Sequence, residues 1–475
     1  MNQSNTRPAP GPGAGPSGLP QDPPSIWTFE FMSLCAISVL AFCNIAIFYS
    51  FYSYLTELGI PPAWRGPLLA LEPFTALLVR PFLGRFLTLG NSVRFMRVGL
   101  CLATVALLCY PFTTSVLLLA LVRVLHGMGF VILVGGLMGV LTALLPREKS
   151  AQGFGLFSVT ILLPYALMPP FVELVLPYLP GHGAAYALAA PLMLPAFLLL
   201  RPLGRRTRAL ALTLHPSHLL KPSWVEVRQG LRDPSVFLLI LANLFLVAGH
   251  SIVFFFMRDF AVLLGAGNPG MFFTYANAAT ITLRVTCGHL LDRVDKGRLL
   301  FFAFLELAVL VPLFGWAGIP LVLFSMAVLY GSGIALSMPL LNSSMLQVSP
   351  PNLRAYNANL MMVAVDAGFF AGPFIGGALM AAGWSHAGLF CVSGGFIAAP
   401  IDAVDSRKIR GRPLNITADA APARGPEALW TPHWPGPGQE AGGLAGVGNA
   451  RGFSSADARK PRARLAPFKR GKETG

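Results

Sequence analysis

Long apolar runs separated by short polar joints dominate this chain from residue 26 to residue 404. Six lie in the first half, at roughly 27–54, 66–86, 95–112, 115–145, 152–179 and 183–200. Six more follow, at roughly 235–257, 270–291, 299–317, 319–348, 355–382 and 386–403. Each approaches or exceeds the about 20 residues that cross a hydrocarbon core about 30 Å thick. The pattern predicts an all-α membrane protein with twelve transmembrane helices. A polar tail over 1–25 precedes a six-helix bundle over 26–200. A basic linker at 201–234 joins it to a second bundle over 235–404, and a Pro, Gly, Ala and Arg-rich tail fills 405–475. Neither tail has hydrophobic periodicity, and both are expected to be disordered. Asp402 sits where the twelfth run dissolves into polar sequence.

The two sets of six are copies. Shifted by 204 residues, Arg80, Gly84 and Arg94 fall on Arg284, Gly288 and Arg298. In the same register VLHGMG (Val124–Gly129) falls on VLYGSG (Val328–Gly333), and Pro146, Ala151 and Pro169 fall on Pro350, Ala355 and Pro373. Gly, Pro and Arg coincidences at one offset mark a duplicated half. Transporters are commonly built from such repeats, as two pseudo-symmetric bundles.

Composition agrees with a lipid environment: 54% of residues are hydrophobic and 12% charged, about half the charge of a usual soluble domain. The net charge of +15 does not point to nucleic acid, because its placement is a topology signal. Alternate joints on one side carry Arg85, Arg94, Arg97, Arg147, Lys149, seven residues of 201–232, Arg293, Lys296, Arg298 and Arg354, while the other side has Arg65 and Arg258. That bias places both termini in the cytoplasm of a cell whose inner (plasma) membrane holds the chain. The six cysteines lie in or beside apolar runs without a CxxC pair, so no disulfide framework, metal site or cofactor is expected. No Walker loop and no HExxH motif occurs, which argues against ATP hydrolysis and intramembrane catalysis.

Four motifs carry a family resemblance. Gly288, Asp292 and Arg293, followed by Lys296, Gly297 and Arg298, resemble a loop of the type GxxxD(R/K)xGRR between spans 8 and 9. Gly84 and Arg85 begin a degenerate copy between spans 2 and 3, with Thr88 in place of the acid. Span 4 carries Arg123, His126, Gly127 and Gly129 as RxxxGxG, and span 11 carries Gly368, Gly372, Pro373, Gly376 and Gly377 as GxxxGPxxGG. Over residues 27–404 the chain thus resembles the major facilitator superfamily. The resemblance implies secondary active transport of a small solute by alternating access, proton-coupled, with efflux favoured over uptake and a monomer as the unit. An uptake permease or uniporter of the same fold is the alternative, and a non-transporting sensor or scaffold is a third class. It also implies a gating role for Gly84, Arg85, Gly288, Asp292, Arg293 and Arg298, and substrate or proton coupling for Arg123. The span 11 pattern belongs to span 5 in the family's antiporters, and span 5 here has Pro169 without those glycines.

Polar groups inside apolar runs are expected to face a cavity or a partner. Arg123, His126, Asp366, Glu306 and Glu72 are the candidates for transport and coupling. Asn44, His250, Asn277 and Asn342 are cavity candidates, and Glu173 lies close enough to the outer surface to be solvated. Glu72 and Arg80 are eight residues apart and share a helix face. Asp366 lies roughly 17 Å from the start of span 11 and Arg123 roughly 12 Å from the outer end of span 4 at 1.5 Å per residue. A shared mid-depth cavity is expected to bring them together in one state. Gly127, Gly129, Gly372, Pro373 and Gly376 are expected to pack helices closely.

Overall fold

The computed structural model describes residues 26–145, 150–213, 232–287, 295–350 and 353–401, which are helical apart from short joints. In chain order the first half holds α1 (Phe29–Glu57), α2 (Pro62–Phe86), α3 (Leu89–Cys109), α4 (Val116–Leu144) and α5 (Ser150–Val175). Its α6 comes in three pieces, His182–Ala187, Ala189–Leu192 and Leu194–Thr213. The second half holds α7 (Pro234–Leu263), α8 (Met271–Cys287), α9 (Lys296–Leu313), α10 (Pro320–Val348), α11 (Arg354–Ala381) and α12 (His386–Ala398). Ten helices among the described residues are long and apolar enough to cross a membrane. α8, with 17 residues, and α12, with 13, occupy the other two positions that the repeat assigns. The last piece of α6 runs through Arg201, Arg205, Arg206 and Arg208, so the basic stretch expected as linker begins on a helix.

Local chemistry sets the helix starts. Thr28, Ser115, Asp233 and Asp295 each accept from a backbone N–H of the turn they precede, at the heads of α1, α4, α7 and α9. Pro62 and Pro320 open α2 and α10, where a missing N–H costs nothing. Prolines also stand inside α2 and α5. Membrane helices tolerate them because neighbours satisfy the freed carbonyls.

The duplication reappears as paired contacts. A Cβ on Gly127 would stand 2.6 Å from the Glu72 carbonyl oxygen, and one on its twin Gly331 would stand 2.0 Å from that of Ala276. Residue 276 is residue 72 shifted by the same 204, so α4 on α2 and α10 on α8 are one contact made twice. Between the halves, a Cβ on Gly66 would stand 3.0 Å from Gly377 Cα, and one on the equivalent Gly270 would stand 2.4 Å from the Pro169 carbonyl carbon. Helix α2 therefore meets α11 as α8 meets α5. In a bilayer small residues allow this approach, since lipid supplies no hydrophobic force between helices.

Candidate functional site

Arg123 lies in the core of the first half, 1% exposed. Its Nε donates to the Leu68 carbonyl at 3.2 Å and its Nη2 to that of Leu69 at 3.0 Å. Nη2 is also 3.7 Å from Glu72 Oε2, and the guanidinium lies 4.5 Å from the Phe51 ring centroid. Prolines at 67 and 73 interrupt the bonding of α2 on either side of those carbonyls. One turn along α4, fully buried His126 meets Asn44 Oδ1 at 2.6 Å through Nε2 and the Tyr110 hydroxyl at 3.2 Å through Nδ1. The result is a buried network across α1, α2, α4 and the turn after α3, with Asn44 Nδ2 left without a hydrogen-bond partner among the described residues. A buried charge persists only when paired and hydrogen-bonded, and Arg123 is both.

Asp366 is not Arg123's partner in this state. Helix α11 presents it to Arg80 on α2, where Nη2 donates to Oδ1 at 2.9 Å and Nε donates to Oδ2. Both groups are buried. Such a fork is the strongest geometry available to an arginine and a carboxylate. The two helices run antiparallel: Gly66 meets Gly377, Phe74 stacks near Phe370, and Arg80 closes on Asp366.

A second ionic cluster joins the halves at the end holding the α1–α2 and α7–α8 joints, here called the far end. Arg258 of α7 donates to Glu173 of α5 at 2.5 and 3.1 Å and to Ser53 of α1 at 2.8 Å. Tyr49 donates to the same Glu173 at 2.6 Å, and Ser53 donates to Asp259. The expectation of a solvated Glu173 is therefore corrected: its side chain is 10% exposed and ion-paired. Arg258, counted above with the loop charges, sits inside α7 as the other partner. Asn268 and Thr274 donate to the carbonyls of Pro170 and Ala166 at the same end. Of these described contacts between halves, Arg80–Asp366 lies nearest the opposite, near end.

The profile of the Major Facilitator Superfamily matches residues 34–373. The chain belongs to the major facilitator superfamily. Crystal structures of the nucleoside transporter NupG share the fold. A single-substitution mutant of NupG superposes with a TM-score of 0.61 at 14% identity, over 79% of this chain and 98% of that one. The parent NupG structure gives 0.60 at 15% identity with the same coverage. No curated protein sequence matches the chain.

The remaining candidates fall in several places on this facilitator fold. Gly288, Asp292 and Arg293 lie outside the described residues, and Gly84 and Arg85 lie in the last turn of α2 without described side-chain surroundings. Near them, Thr88 N donates to Asn91 Oδ1 at the head of α3, and Asp295, the twin of Asn91, caps α9. Exposed Arg298 donates its backbone N–H to that Asp295. Gly129 packs on α3, while Gly372 and Gly376 pack on α7, with Pro373 between them inside α11. His250 meets the Tyr330 hydroxyl at 2.6 Å, and Asn277 and exposed Asn342 donate to carbonyls of their own helices. Glu306 accepts from Ser332 at 2.8 Å between α9 and α10. Its neighbours Phe302 and Val309 are exposed, and Ser332 also lines an outer groove of about 440 Å³, so Glu306 faces the outside of the bundle. Sequence reasoning misses Arg80 as Asp366's partner, and Tyr49, Ser53, Arg258 and Asp259 at the far end. The arginine within span 7 is the available signal for the second group.

Proposed function

We propose that this facilitator moves a small solute by alternating access of its two halves, driven by protons through Asp366. One observation carries the reading: a buried, two-pronged ion pair joins the halves on the near-end side of their other described contacts, held by single side chains from α2 and α11. A proton on Asp366 removes the charge that holds Arg80 and frees the halves to move. Arg123 and His126 act indirectly, by fixing α2 against α4. With the basic near end assigned to the cytoplasm, the ionic cluster at the far end supports an inward-facing reading of this state. Proton entry coupled to export is the direction we assign, with the single chain as the transport unit.

The test is transport by the purified chain in oriented liposomes, with uridine included because the NupG structures that share the fold are of a nucleoside transporter. Asp366→Asn keeps the shape and loses the titrating group. It is expected to reduce gradient-driven movement at least tenfold while sparing solute exchange at equal concentrations. Normal accumulation with unchanged pH dependence would show that Asp366 is structural.

A further inference from the structure

The repeat places an arginine at both interfaces between the halves, and among the described residues only one of the two has a counter-charge. Arg284 of α8 is the twin of Arg80 of α2. The twin of Asp366 is Leu162 of α5, so the second interface has a leucine where the first has a carboxylate. The contacts support the equivalence to within about one helical turn, since Gly66 meets Gly377 of α11 while Gly270 meets Pro169 of α5, the twin of Pro373. The only acid of α5 is Glu173, already held by Arg258, and α10, also packed on α8, has none. Arg80, Arg123 and Arg258 each have a carboxylate within 4.0 Å. Among the described residues Arg284 has neither an ion pair nor a hydrogen-bond partner, and its Nε is buried without one.

Position strengthens the point. Arg284, Asn277 and Phe273 lie within roughly 40° of one another on the helical wheel. Phe273 touches Tyr49 across the gap between the halves, so this face of α8 looks into that gap. The described hydrogen bonds between α5 and α8 reach as far as Thr274–Ala166, ten residues from Arg284 on the far-end side. An uncompensated guanidinium between low-dielectric walls attracts oxyanions and binds them in a planar fork.

We infer that Arg284 binds the oxyanion of the transported solute, a carboxylate or phosphate that takes the place Asp366 takes beside Arg80. This rests on the transporter reading above and adds the charge class of its cargo. Through this contact an anionic solute draws α5 and α8 together as the internal pair draws α2 and α11.

The experiment is thermal unfolding of the purified full chain at constant ionic strength with sodium benzoate, sodium succinate or inorganic phosphate. Uridine and choline chloride serve as neutral and cationic arms. At least one oxyanion is expected to raise the midpoint. Arg284→Gln should weaken its apparent affinity roughly 30-fold or more, and Arg284→Lys less. Leu162→Asp supplies the missing carboxylate: it should raise the midpoint without ligand and abolish the oxyanion response. Benzoate or succinate acting alone identifies a carboxylate, and phosphate acting alone a phosphate. The inference is overturned by no oxyanion response in the wild type, by an undiminished one in Arg284→Gln, or by an undiminished one in Leu162→Asp. If uridine or choline is bound and transported equally by wild type and Arg284→Gln, the charge assignment fails while the transporter reading stands.

Discussion

Alanine at Gly331 is expected to leave little folded protein. The added Cβ would stand 2.0 Å from the Ala276 carbonyl oxygen, well inside any van der Waals contact, and the obstacle is backbone that cannot rotate aside. α10 must move off α8, which also strains the Thr280 hydroxyl bond to the Gly331 carbonyl at 2.8 Å. Overpacking of this kind typically costs about 1–3 kcal/mol and more where no side chain can give way. The equivalent change at Gly127, with 2.6 Å to Glu72, should be milder. Gly155→Ala in α5 meets nothing within 4 Å and is the control, expected to be neutral or to gain up to about 1 kcal/mol of helix propensity. Yield and unfolding temperature on fluorescence-detected size exclusion rank the three. If Gly331→Ala behaves like Gly155→Ala, the close approach of α10 and α8 is wrong.

Glu173→Ala is expected to open the far end. It leaves Arg258 charged, buried and short of its main partner, and removes one of the two acceptors of the Tyr49 hydroxyl, leaving the Pro169 carbonyl. Removing one member of a buried pair costs about 3–5 kcal/mol. Because the pair spans the two halves, that cost falls on the closed far end. A shift of this size is worth roughly 10²–10⁴ in the ratio of closed to open states. Spin labels on exposed Trp64→Cys and Trp384→Cys, both at the far end, should report longer distances. Adding Arg258→Leu removes the stranded charge and should recover part of the closed population. An unchanged distance distribution in Glu173→Ala would mean that packing alone closes this end.

The fold was legible because lipid imposes a strict rule on sequence. Every spanning backbone must satisfy its own hydrogen bonds, so runs of about 20 apolar residues leave little choice. The family was legible because glycines at close approaches, such as Gly127 and Gly331, cannot drift without a steric penalty. The pairing of charges was not legible. Periodicity places Arg80 and Asp366 on their own helices, but they are 286 residues apart and their meeting depends on how two bodies dock. Depth alone puts Arg123 and Asp366 at similar levels and says nothing of the azimuth that turns Arg123 into its own half. Arg258 reads as a joint residue because charge usually ends an apolar run. Here α7 continues past it and the charge is used inside.

Under the alternating-access reading proposed above, the glycine contacts that join the halves would also act as bearings. Gly66 against Gly377 and Gly270 against Pro169 are backbone-to-backbone touches, the second flanked by the Asn268 and Thr274 side-chain bonds, so each can roll at the cost of few contacts. Two such points define a hinge line across the far end. Arg80 lies 14 residues down α2 from Gly66, a lever arm of roughly 21 Å. A swing of about 10°, modest for rigid-body domain motion, carries its tip roughly 4 Å, enough to part an arginine from a carboxylate. The reverse swing needs a different fulcrum, and the innermost contact left to serve is Arg80–Asp366 itself. The ion pair is then the axle of one stroke and the catch of the other.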